Sequence, residues 1–168
     1  CPGFVMKNLS APWRIKYIKR KKPEGCIFCS GSGLDRALMV YEGEKAFILM
    51  NRFPYISGHM MVAPYRHVAN IEDLDRRERL ELFDLTDLAV RALKNAYGPQ
   101  GFNIGMNLGK AAGAGIDDHL HLHIVPRWSG DTNFMSVLGE VRVIPEDLDK
   151  TRVTLRRNVK KIKTGGRK

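Results

Sequence analysis

Residues that form covalent or metal cross-links are scarce in this chain. Its 168 residues include only three cysteines and five histidines, and Cys26 and Cys29 stand together as a single Cys-x-x-Cys pair. A disulfide scaffold needs more cysteines than this, so a reducing compartment is indicated. The sequence also lacks an apolar run of about 18 residues, which a membrane-spanning helix requires, and a secretory leader pattern. We therefore expect a cytoplasmic protein with no membrane partner.

Acidic residues are scarcer than basic residues, but the excess of positive charge is confined to the two ends of the chain. The chain has 28 Lys and Arg against 18 Asp and Glu, which gives a net charge of +10. Residues 1–24 carry seven basic residues and one acidic residue, residues 151–168 carry eight and none, and residues 25–150 carry thirteen and seventeen. A high total charge by itself indicates a polyanion partner, but this distribution does not favour nucleic acid as the partner of the body.

The charge distribution predicts three regions. We expect a basic N-terminal arm over residues 1–24, one domain over residues 25–150, and a basic C-terminal helix with its tail over residues 151–168. Met6 is a candidate native start, in which case residues 1–5 are not native. Aromatic residues lie among the basic residues of the arm, as they do in proteins that bind single-stranded nucleic acid, so that function stays open.

Short apolar runs and one long periodic segment predict an α+β domain. Residues 46–50, 59–63, 102–107 and 119–125 are predicted as strands, and the first two form a hairpin around residues 51–58. Apolar residues at helical spacing predict a helix over residues 75–97 that ends at Gly98 and Pro99, and a C-terminal helix that includes Leu148 and Ile162. This order predicts an antiparallel sheet with one long helix and a C-terminal helix.

The most informative segment is the predicted strand that carries three of the five histidines. His119, His121 and His123 alternate with apolar residues. Because neighbouring side chains on a strand point to opposite faces, we expect the three imidazoles on one face and the apolar side chains in the core. The strand rise separates His119 and His123 by about 13 Å, too far for one metal ion to bind all three. The segment is interpreted as a nucleophile or acid–base site, and the alternatives are three exposed surface histidines or a histidine-rich metal-binding tract.

The spacing His119-x-His121-x-His123, followed by Ile-Val-Pro, resembles the signature of the histidine-triad (HIT) family of nucleotidyl hydrolases and transferases. Other segments resemble that family in the same order: Cys26-Ile-Phe-Cys29, Asn51-Arg-Phe-Pro54, Gly58-His59-Met-Met-Val-Ala-Pro64, and Asn103 to Asn107. Residues 127–135 are similar to the segment after the triad in bacterial members described as diadenosine tetraphosphate phosphorylases or hydrolases. The resemblance implies a HIT-like fold and the cleavage of dinucleoside polyphosphates, diadenosine tetraphosphate above all, by phosphorolysis or hydrolysis.

The resemblance also implies roles for individual residues. His121 would attack an α-phosphorus and form a covalent nucleotidyl-histidine, with His119 and His123 as the other catalytic histidines. A neutral imidazole suits this role because it is both a good nucleophile and a good leaving group. Substrate-binding roles near the ribose and the phosphates are implied for three further residues, Asn51, His59 and Asn107.

A glycine-rich loop lies between the last two predicted strands, at residues 109–115. It is not a P-loop, because Ala follows Gly-Lys and no glycine lies five residues before Gly109. Backbone N–H groups in such a loop can approach phosphate closely, since glycine has no Cβ. Much of the family has a Gln, Ser or Thr side chain just before the triad, where this chain has Gly115 and Ile116. We therefore expect the backbone at Gly113 and Gly115 to contact phosphate.

Cys26 and Cys29 allow three interpretations: a redox pair, half of a zinc site, or two inert thiols. The redox interpretation is weak because a thioredoxin-like pair opens a helix after a strand, whereas glycine and serine follow here. A closed zinc site needs four ligands. Zinc-binding members of the HIT family have a similar Cys, Cys, His, His arrangement, which implies His67 and His119 as the other two ligands. The implied zinc is structural and would orient His119 beside His121.

Two other functions remain open. One is a nucleoside phosphoramidase of another HIT branch. The other is a non-catalytic nucleotide-binding or nucleic-acid-binding protein, which would bind through the basic ends and lose affinity steeply with salt. Residues 127–135 favour a dinucleotide substrate. The resemblance further implies a homodimer to which the helix at residues 75–97 contributes.

Overall fold

In the part of the chain that the structure describes, five antiparallel strands form one sheet. The computed structural model describes residues 25–29, 34–131 and 147–165. The strands are β1 (Met39–Glu42), β2 (Ala46–Met50), β3 (Met60–Pro64), β4 (Gly101–Met106) and β5 (Leu122–Arg127), in the spatial order β1-β2-β3-β5-β4. The predicted hairpin is confirmed, since β2 pairs with β3 along its whole length. The N-terminal arm and residues 132–135 lie outside the described residues.

Among the described residues, two helices cover one face of the sheet. The long helix α1 (Arg76–Tyr97) begins after Asp75, which forms a reciprocal capping box with Glu78, and ends at Gly98 in the left-handed conformation with φ of 56°. The C-terminal helix α2 (Leu148–Gly165) buries its apolar side against α1 and β1. Both predicted helices are confirmed. Within the described residues, neither helix combines the length and hydropathy that a bilayer crossing demands.

The sheet buries residues on both of its faces. Beneath the helices lie alternate residues of the central strands, namely Ala46, Ile48, Met50, Met60, Val62, Leu122 and Ile124. The opposite face carries a second apolar cluster formed by Phe28, Met39, Phe47, Leu49, Met61 and Ala63. His123 belongs to this second face, because its two neighbours on β5 point towards the helices. The chemistry of the triad is therefore found on the side of the sheet away from α1 and α2.

One strand begins later than predicted. We predicted a strand over residues 119–125, but β5 covers Leu122–Arg127, so His119 and His121 precede it. Pro64, at the end of β3, has no N–H to donate to a longer ladder, and its carbonyl accepts a hydrogen bond from His119 Nε2 instead. The prediction that all three imidazoles lie on one strand is therefore wrong. His121 and His123 are still neighbours, with ring centroids 4.9 Å apart.

An ion pair ties the loop after β3 to the start of α1. Arg66 donates from Nε and Nη2 to the carboxylate of Glu78 at 2.8 and 2.7 Å. Only 6% of the Glu78 side chain is exposed, whereas half of the Arg66 side chain is. The guanidinium, through these hydrogen bonds, lowers the pKa of the Glu78 carboxyl to about 2. His67 directly follows Arg66, so this ion pair also restrains the loop that carries a predicted metal ligand.

Glu78→Gln is expected to lower the free energy of unfolding by about 2 kcal/mol at neutral pH, because a hydrogen-bonded carboxylate is lost. This loss of stability is smaller than the pKa shift of Glu78 alone implies, since solvent screens the charge of the half-exposed Arg66. The folded-state pKa lies below the ordinary value of 4.5, so the stabilisation is present above pH 4.5 and is lost as the pH falls towards about 2. Urea unfolding of the wild type and of Glu78→Gln should therefore show a smaller difference in the free energy of unfolding at about pH 3 than at neutral pH.

The matched control for this prediction is Glu72→Gln. Glu72 is an exposed carboxylate in the 3-10 turn that precedes α1. Its replacement should leave the free energy of unfolding nearly unchanged, because exposed charges contribute little. Equal losses for the two variants, or a loss for Glu78→Gln that does not depend on pH, would contradict the role given to the ion pair.

Candidate active site and metal site

The backbone selects one tautomer of His121. Its Nδ1 lies 2.8 Å from the carbonyl oxygen of His119. A carbonyl oxygen only accepts hydrogen bonds, so the ring proton is on Nδ1 and the lone pair is on Nε2. Burial lowers the pKa of His121, which is only 6% exposed, so its imidazole is neutral at physiological pH. A neutral imidazole with its lone pair on Nε2 is chemically a nucleophile.

A chain of hydrogen bonds sets the proton positions on His59 and His123. The backbone N–H of Tyr55 donates to His59 Nδ1 at 3.1 Å. His59 therefore carries its proton on Nε2, which lies 3.0 Å from His123 Nδ1 and donates to it. His123 in turn carries its proton on Nε2. Burial, with a smaller contribution from nearby His121, lowers the pKa of His123 to about 4, so His123 is a neutral N–H donor.

Both predicted substrate-binding asparagines lie at strand ends near these histidines. Asn51 follows β2, and its Nδ2 lies 3.4 Å from both ring nitrogens of His59. Asn107 follows β4 and lines a cavity of about 320 Å³ together with Tyr55 and His123. Amide, imidazole and aromatic groups therefore converge on one side of the sheet.

The glycine-rich loop after β4 lies on the surface. Residues 110–112 form a 3-10 turn, after which Gly113 adopts a positive φ of 85°. The N–H of Gly113 donates to the carbonyl of Lys110 at 3.0 Å, so this amide is used within the loop. Gly115 is exposed. The phosphate contact expected from the backbone of Gly113 and Gly115 stays a prediction.

The predicted metal ligands meet at one point of the structure. One ligand atom from each of Cys26, Cys29, His67 and His119 lies within 4.8 Å of the others. His119 Nδ1 is 3.3 Å from Cys26 Sγ and 3.6 Å from Cys29 Sγ, and His67 Nδ1 is 3.3 Å from Cys29 Sγ. The two histidines follow Cys29 by 38 and 90 residues, so tertiary structure brings the four side chains together. These four residues form the Cys/His cluster.

The Cys/His cluster suits zinc in spacing and in proton placement. Tetrahedral zinc, with bonds of about 2.3 Å to sulfur and about 2.0 Å to nitrogen, places sulfur and nitrogen roughly 3.5 Å apart. His119 donates from Nε2 to the carbonyl of Pro64 at 2.9 Å, which leaves the Nδ1 lone pair facing the sulfur atoms. Burial raises the pKa of the Cys26 thiol to about 11, so this thiol holds its proton until a cation displaces it. Four protein ligands are typical of a structural site.

Sequence reasoning missed two groups at this site. Tyr55 lines the cavity and packs on His59 with ring centroids 4.6 Å apart. An aromatic residue in the turn between β2 and β3 was the available signal. Arg127 donates to the two carboxylate oxygens of Asp131 at 2.6 and 2.7 Å, and to Asn103 at 2.8 Å. The network links the cavity wall on β4 to the segment after the triad.

The arrangement pairs a nucleophile with a hydrogen-bond donor. The lone pair on His121 Nε2 can attack an electrophilic atom, while the proton on His123 Nε2 can stabilise negative charge that develops there. Displacement at phosphorus needs this combination of a positioned nucleophile and positioned donors. The site is therefore suited to nucleophilic displacement at phosphorus, and the Cys/His cluster lies next to the nucleophile.

Comparison with known proteins identifies a matching family model and several relatives. The family model described as HIT domain matches residues 35–130. The chain is 46% identical over 118 residues to AP-4-A phosphorylase of Mycobacterium tuberculosis, covering 70% of this chain and 60% of that relative. The chain thus spans less than two thirds of that relative's length. It is 34% identical over 125 residues to an uncharacterized HIT-like protein of Methanocaldococcus jannaschii, covering 74% of this chain and 93% of the relative.

A solved structure has the same fold. The crystal structure of a Zn-bound histidine triad family protein from Mycobacterium smegmatis matches with a TM-score of 0.66 and 28% identity, covering 80% of this chain and 91% of that chain. The predicted α+β, HIT-like architecture, with an antiparallel sheet, one long helix and a C-terminal helix, is confirmed.

Proposed function

The chain belongs to the HIT domain family, and we propose that it cleaves dinucleoside polyphosphates by transferring a nucleotidyl group to His121. One observation carries the proposal: the hydrogen bond from His121 Nδ1 to the His119 carbonyl leaves Nε2 as a nucleophile beside the N–H of His123. Similarity to AP-4-A phosphorylase of Mycobacterium tuberculosis supports diadenosine tetraphosphate as the substrate.

The first step joins His121 to the substrate. The Nε2 lone pair attacks an α-phosphorus of diadenosine tetraphosphate and forms a phosphorus–nitrogen bond. The bond from that phosphorus to the bridging oxygen breaks, and ATP leaves with the electron pair. The imidazole becomes positively charged, and the His119 carbonyl that accepts its Nδ1–H stabilises this charge. The product of the step is adenylyl-His121.

Donors around His121 stabilise the negative charge of the phosphates. His123 donates from Nε2 to the phosphate or to the leaving oxygen, and His59 and the N–H of Tyr55 keep it in the required tautomer. Asn51 and Asn107 supply amide groups for the ribose and a phosphate, and Gly115 in the exposed loop after β4 supplies a further backbone N–H donor. Phosphoryl-type transfer depends mainly on such positioned charges and dipoles.

In the second step an acceptor regenerates His121. Water or inorganic phosphate attacks the adenylyl phosphorus, an oxygen–phosphorus bond forms, and the phosphorus–nitrogen bond breaks. Water yields AMP and releases a proton to solvent, whereas phosphate yields ADP. The neutral imidazole that results, with its proton still on Nδ1, is ready for another cycle.

Zinc is the proposed metal of the Cys/His cluster. The spacing of the ligand atoms supports this assignment, as does similarity to the Zn-bound protein from Mycobacterium smegmatis. Bound zinc supplies a structural cross-link and no reaction chemistry. The residues of the cluster would tie the cysteine turn and the loop after β3 to His119, which lies two positions before the nucleophile in the sequence.

A second copy of this chain is the proposed macromolecular partner. Among the described strands, β4 lies at the edge of the sheet, and Ile104 and Leu108, on and just after β4, are 47% and 44% exposed. An exposed edge strand with apolar side chains can pair with a strand of another chain. We propose a homodimer that uses this edge, with α1 contributing to the interface.

Product analysis tests the proposed function. Diadenosine tetraphosphate is incubated with the protein, with and without inorganic phosphate, and the nucleotides are separated. Phosphorolysis yields ADP and ATP, whereas hydrolysis yields AMP and ATP. Either result supports nucleotidyl transfer and identifies the acceptor.

Two results would replace this proposal with another. Release of AMP from an AMP amide, without cleavage of any dinucleoside polyphosphate, would indicate a phosphoramidase. Nucleotide or nucleic-acid binding that is lost when residues 151–168 are removed, but is unaffected by replacing His121, would indicate a non-catalytic protein.

A further inference from the structure

Phe28 lies between the two cysteines of the cluster and has no role in the chemistry described above. Its side chain is only 1% exposed, so it is shielded from solvent. Its ring centroid is 5.2 Å from that of His119 and 4.8 Å from that of His121. One buried aromatic ring therefore contacts both a candidate metal ligand and the candidate nucleophile.

His121 needs a restraint of this kind. Its hydrogen bond to the His119 carbonyl holds Nδ1, but a single hydrogen bond allows the ring to tilt and Nε2 to swing. The ring of Phe28 packs on the imidazole at an interplanar angle of 32°, which limits that tilt. In-line attack requires the reacting nitrogen to be placed within about 0.5 Å and 10–20°. Packing against Phe28 is thus a direct source of the required precision.

Phe28 is itself held from two sides. Its N–H donates to Cys26 Sγ at 3.4 Å, and the N–H of Cys29 donates to the carbonyl of Cys26 at 3.2 Å, so the backbone forms a tight turn around the sulfur. The ring belongs to the apolar cluster on the face of the sheet away from α1 and α2, which also contains Phe47. The position of the ring is therefore set by the cysteine turn and by the sheet together.

We propose that Phe28 is a positioning residue that holds the imidazole of His121 in its attacking orientation, and that the cysteine turn acts on the nucleophile through this ring. The inference rests on the proposed function in that it takes His121 as the nucleophile. The orientation of His121 can, however, be measured without any substrate, so the two proposals can fail separately.

The test compares Phe28→Leu with the matched control Phe47→Leu. Both variants remove a buried phenyl ring from the same apolar cluster, but the ring of Phe47 packs on Tyr65, at a centroid distance of 5.0 Å. We expect Phe28→Leu to lower kcat for diadenosine tetraphosphate about tenfold with KM changed less than about twofold, because the nucleophile is misaligned while Asn51, His59 and Asn107 are not replaced. Phe47→Leu should leave kcat nearly unchanged, and both variants should retain their zinc.

A spectroscopic measurement accompanies the kinetics. In protein labelled with ¹⁵N-histidine, the His121 ring of the wild type should show a single tautomer with the proton on Nδ1. Phe28→Leu should broaden these signals or move them towards the average of two tautomers, and Phe47→Leu should not. Phe28→Met, which nearly restores the lost volume without a planar ring, should behave like Phe28→Leu and serves if the leucine variant does not fold.

Three outcomes would overturn the inference. The first is unchanged His121 signals and unchanged kcat in both Phe28 variants. The second is an equal loss of kcat in Phe28→Leu and Phe47→Leu. The third is loss of zinc from the Phe28 variants, because the effect on His121 would then be explained by the metal ligands. If the wild type cleaves no dinucleoside polyphosphate, the proposed function fails, and the histidine spectra alone decide the role of Phe28.

Discussion

Replacing His121 with asparagine is expected to reduce turnover of diadenosine tetraphosphate by about 10⁴-fold or more. The asparagine amide can still donate to the His119 carbonyl, so the local hydrogen bond can survive. The lone pair of the amide nitrogen is delocalised into its carbonyl group, so asparagine cannot attack phosphorus as imidazole does. Separation of the nucleotides after timed reactions gives kcat, and thermal unfolding together with metal analysis checks that the fold and the zinc content are intact.

The covalent intermediate provides an independent control for this result. Wild-type protein mixed with substrate and quenched at alkaline pH, where phosphorus–nitrogen bonds survive, should carry one adenylyl group on the peptide that contains His121. The His121→Asn variant should carry none. Turnover within about tenfold of the wild type, or an adenylyl group on another residue, would remove His121 from the role of nucleophile.

Cys29→Ser is expected to abolish stoichiometric zinc binding and to destabilise the protein. Cys29 Sγ lies close to both histidines of the Cys/His cluster, and a serine hydroxyl is a much poorer zinc ligand than a thiolate. Structural zinc sites contribute about 10–16 kcal/mol in small peptides, and we expect the loss of one ligand to remove roughly 4 kcal/mol here. The unfolding temperature should then fall by about 10 °C. Metal analysis and calorimetry measure the two effects.

The third cysteine of the chain offers a matched control. Cys1→Ser makes the same chemical change outside the Cys-x-x-Cys pair, and it should leave zinc content and unfolding temperature unchanged. Treatment of the wild type with a chelator should reproduce the effect of Cys29→Ser and should have no further effect on that variant. Protein purified without added metal that contains no zinc, and in which Cys26 and Cys29 react freely with thiol reagents, would exclude a metal at this site.

Local sequence signals predicted α1 closely. Asp75, Glu78 and Gly98 lie within a few residues of the helix ends that they cap, so a short window of sequence contains the whole signal. Strand β1 was not predicted. The turn that leads from it into β2 depends on Glu81 of α1, whose carboxylate accepts N–H groups from residues 44–46. A partner more than thirty residues away leaves no local signal.

The candidate site shows the same limit. The spacing of Cys26 and Cys29 allows half of a zinc site among other interpretations, but nothing near them in sequence indicates His67 or His119, which entered only through a family resemblance. Tertiary structure brings the four ligand atoms within 4.8 Å. The alternation of histidines and apolar residues likewise indicated a chemical face, but the late start of β5 depends on Pro64 in another strand.

The sequence by itself determined the elements of the sheet and helices that local patterns encode. It also determined the chemical groups available, among them three histidines at alternate positions of one segment. Only the tertiary structure decided which nitrogen of each imidazole carries the proton. The carbonyl of His119 selects the nucleophilic nitrogen of His121, and the N–H of Tyr55 sets the tautomer of His59 and, through it, that of His123. A tautomer depends on the hydrogen-bond partner that the ring meets in the folded chain, so residue types and spacing alone do not specify it.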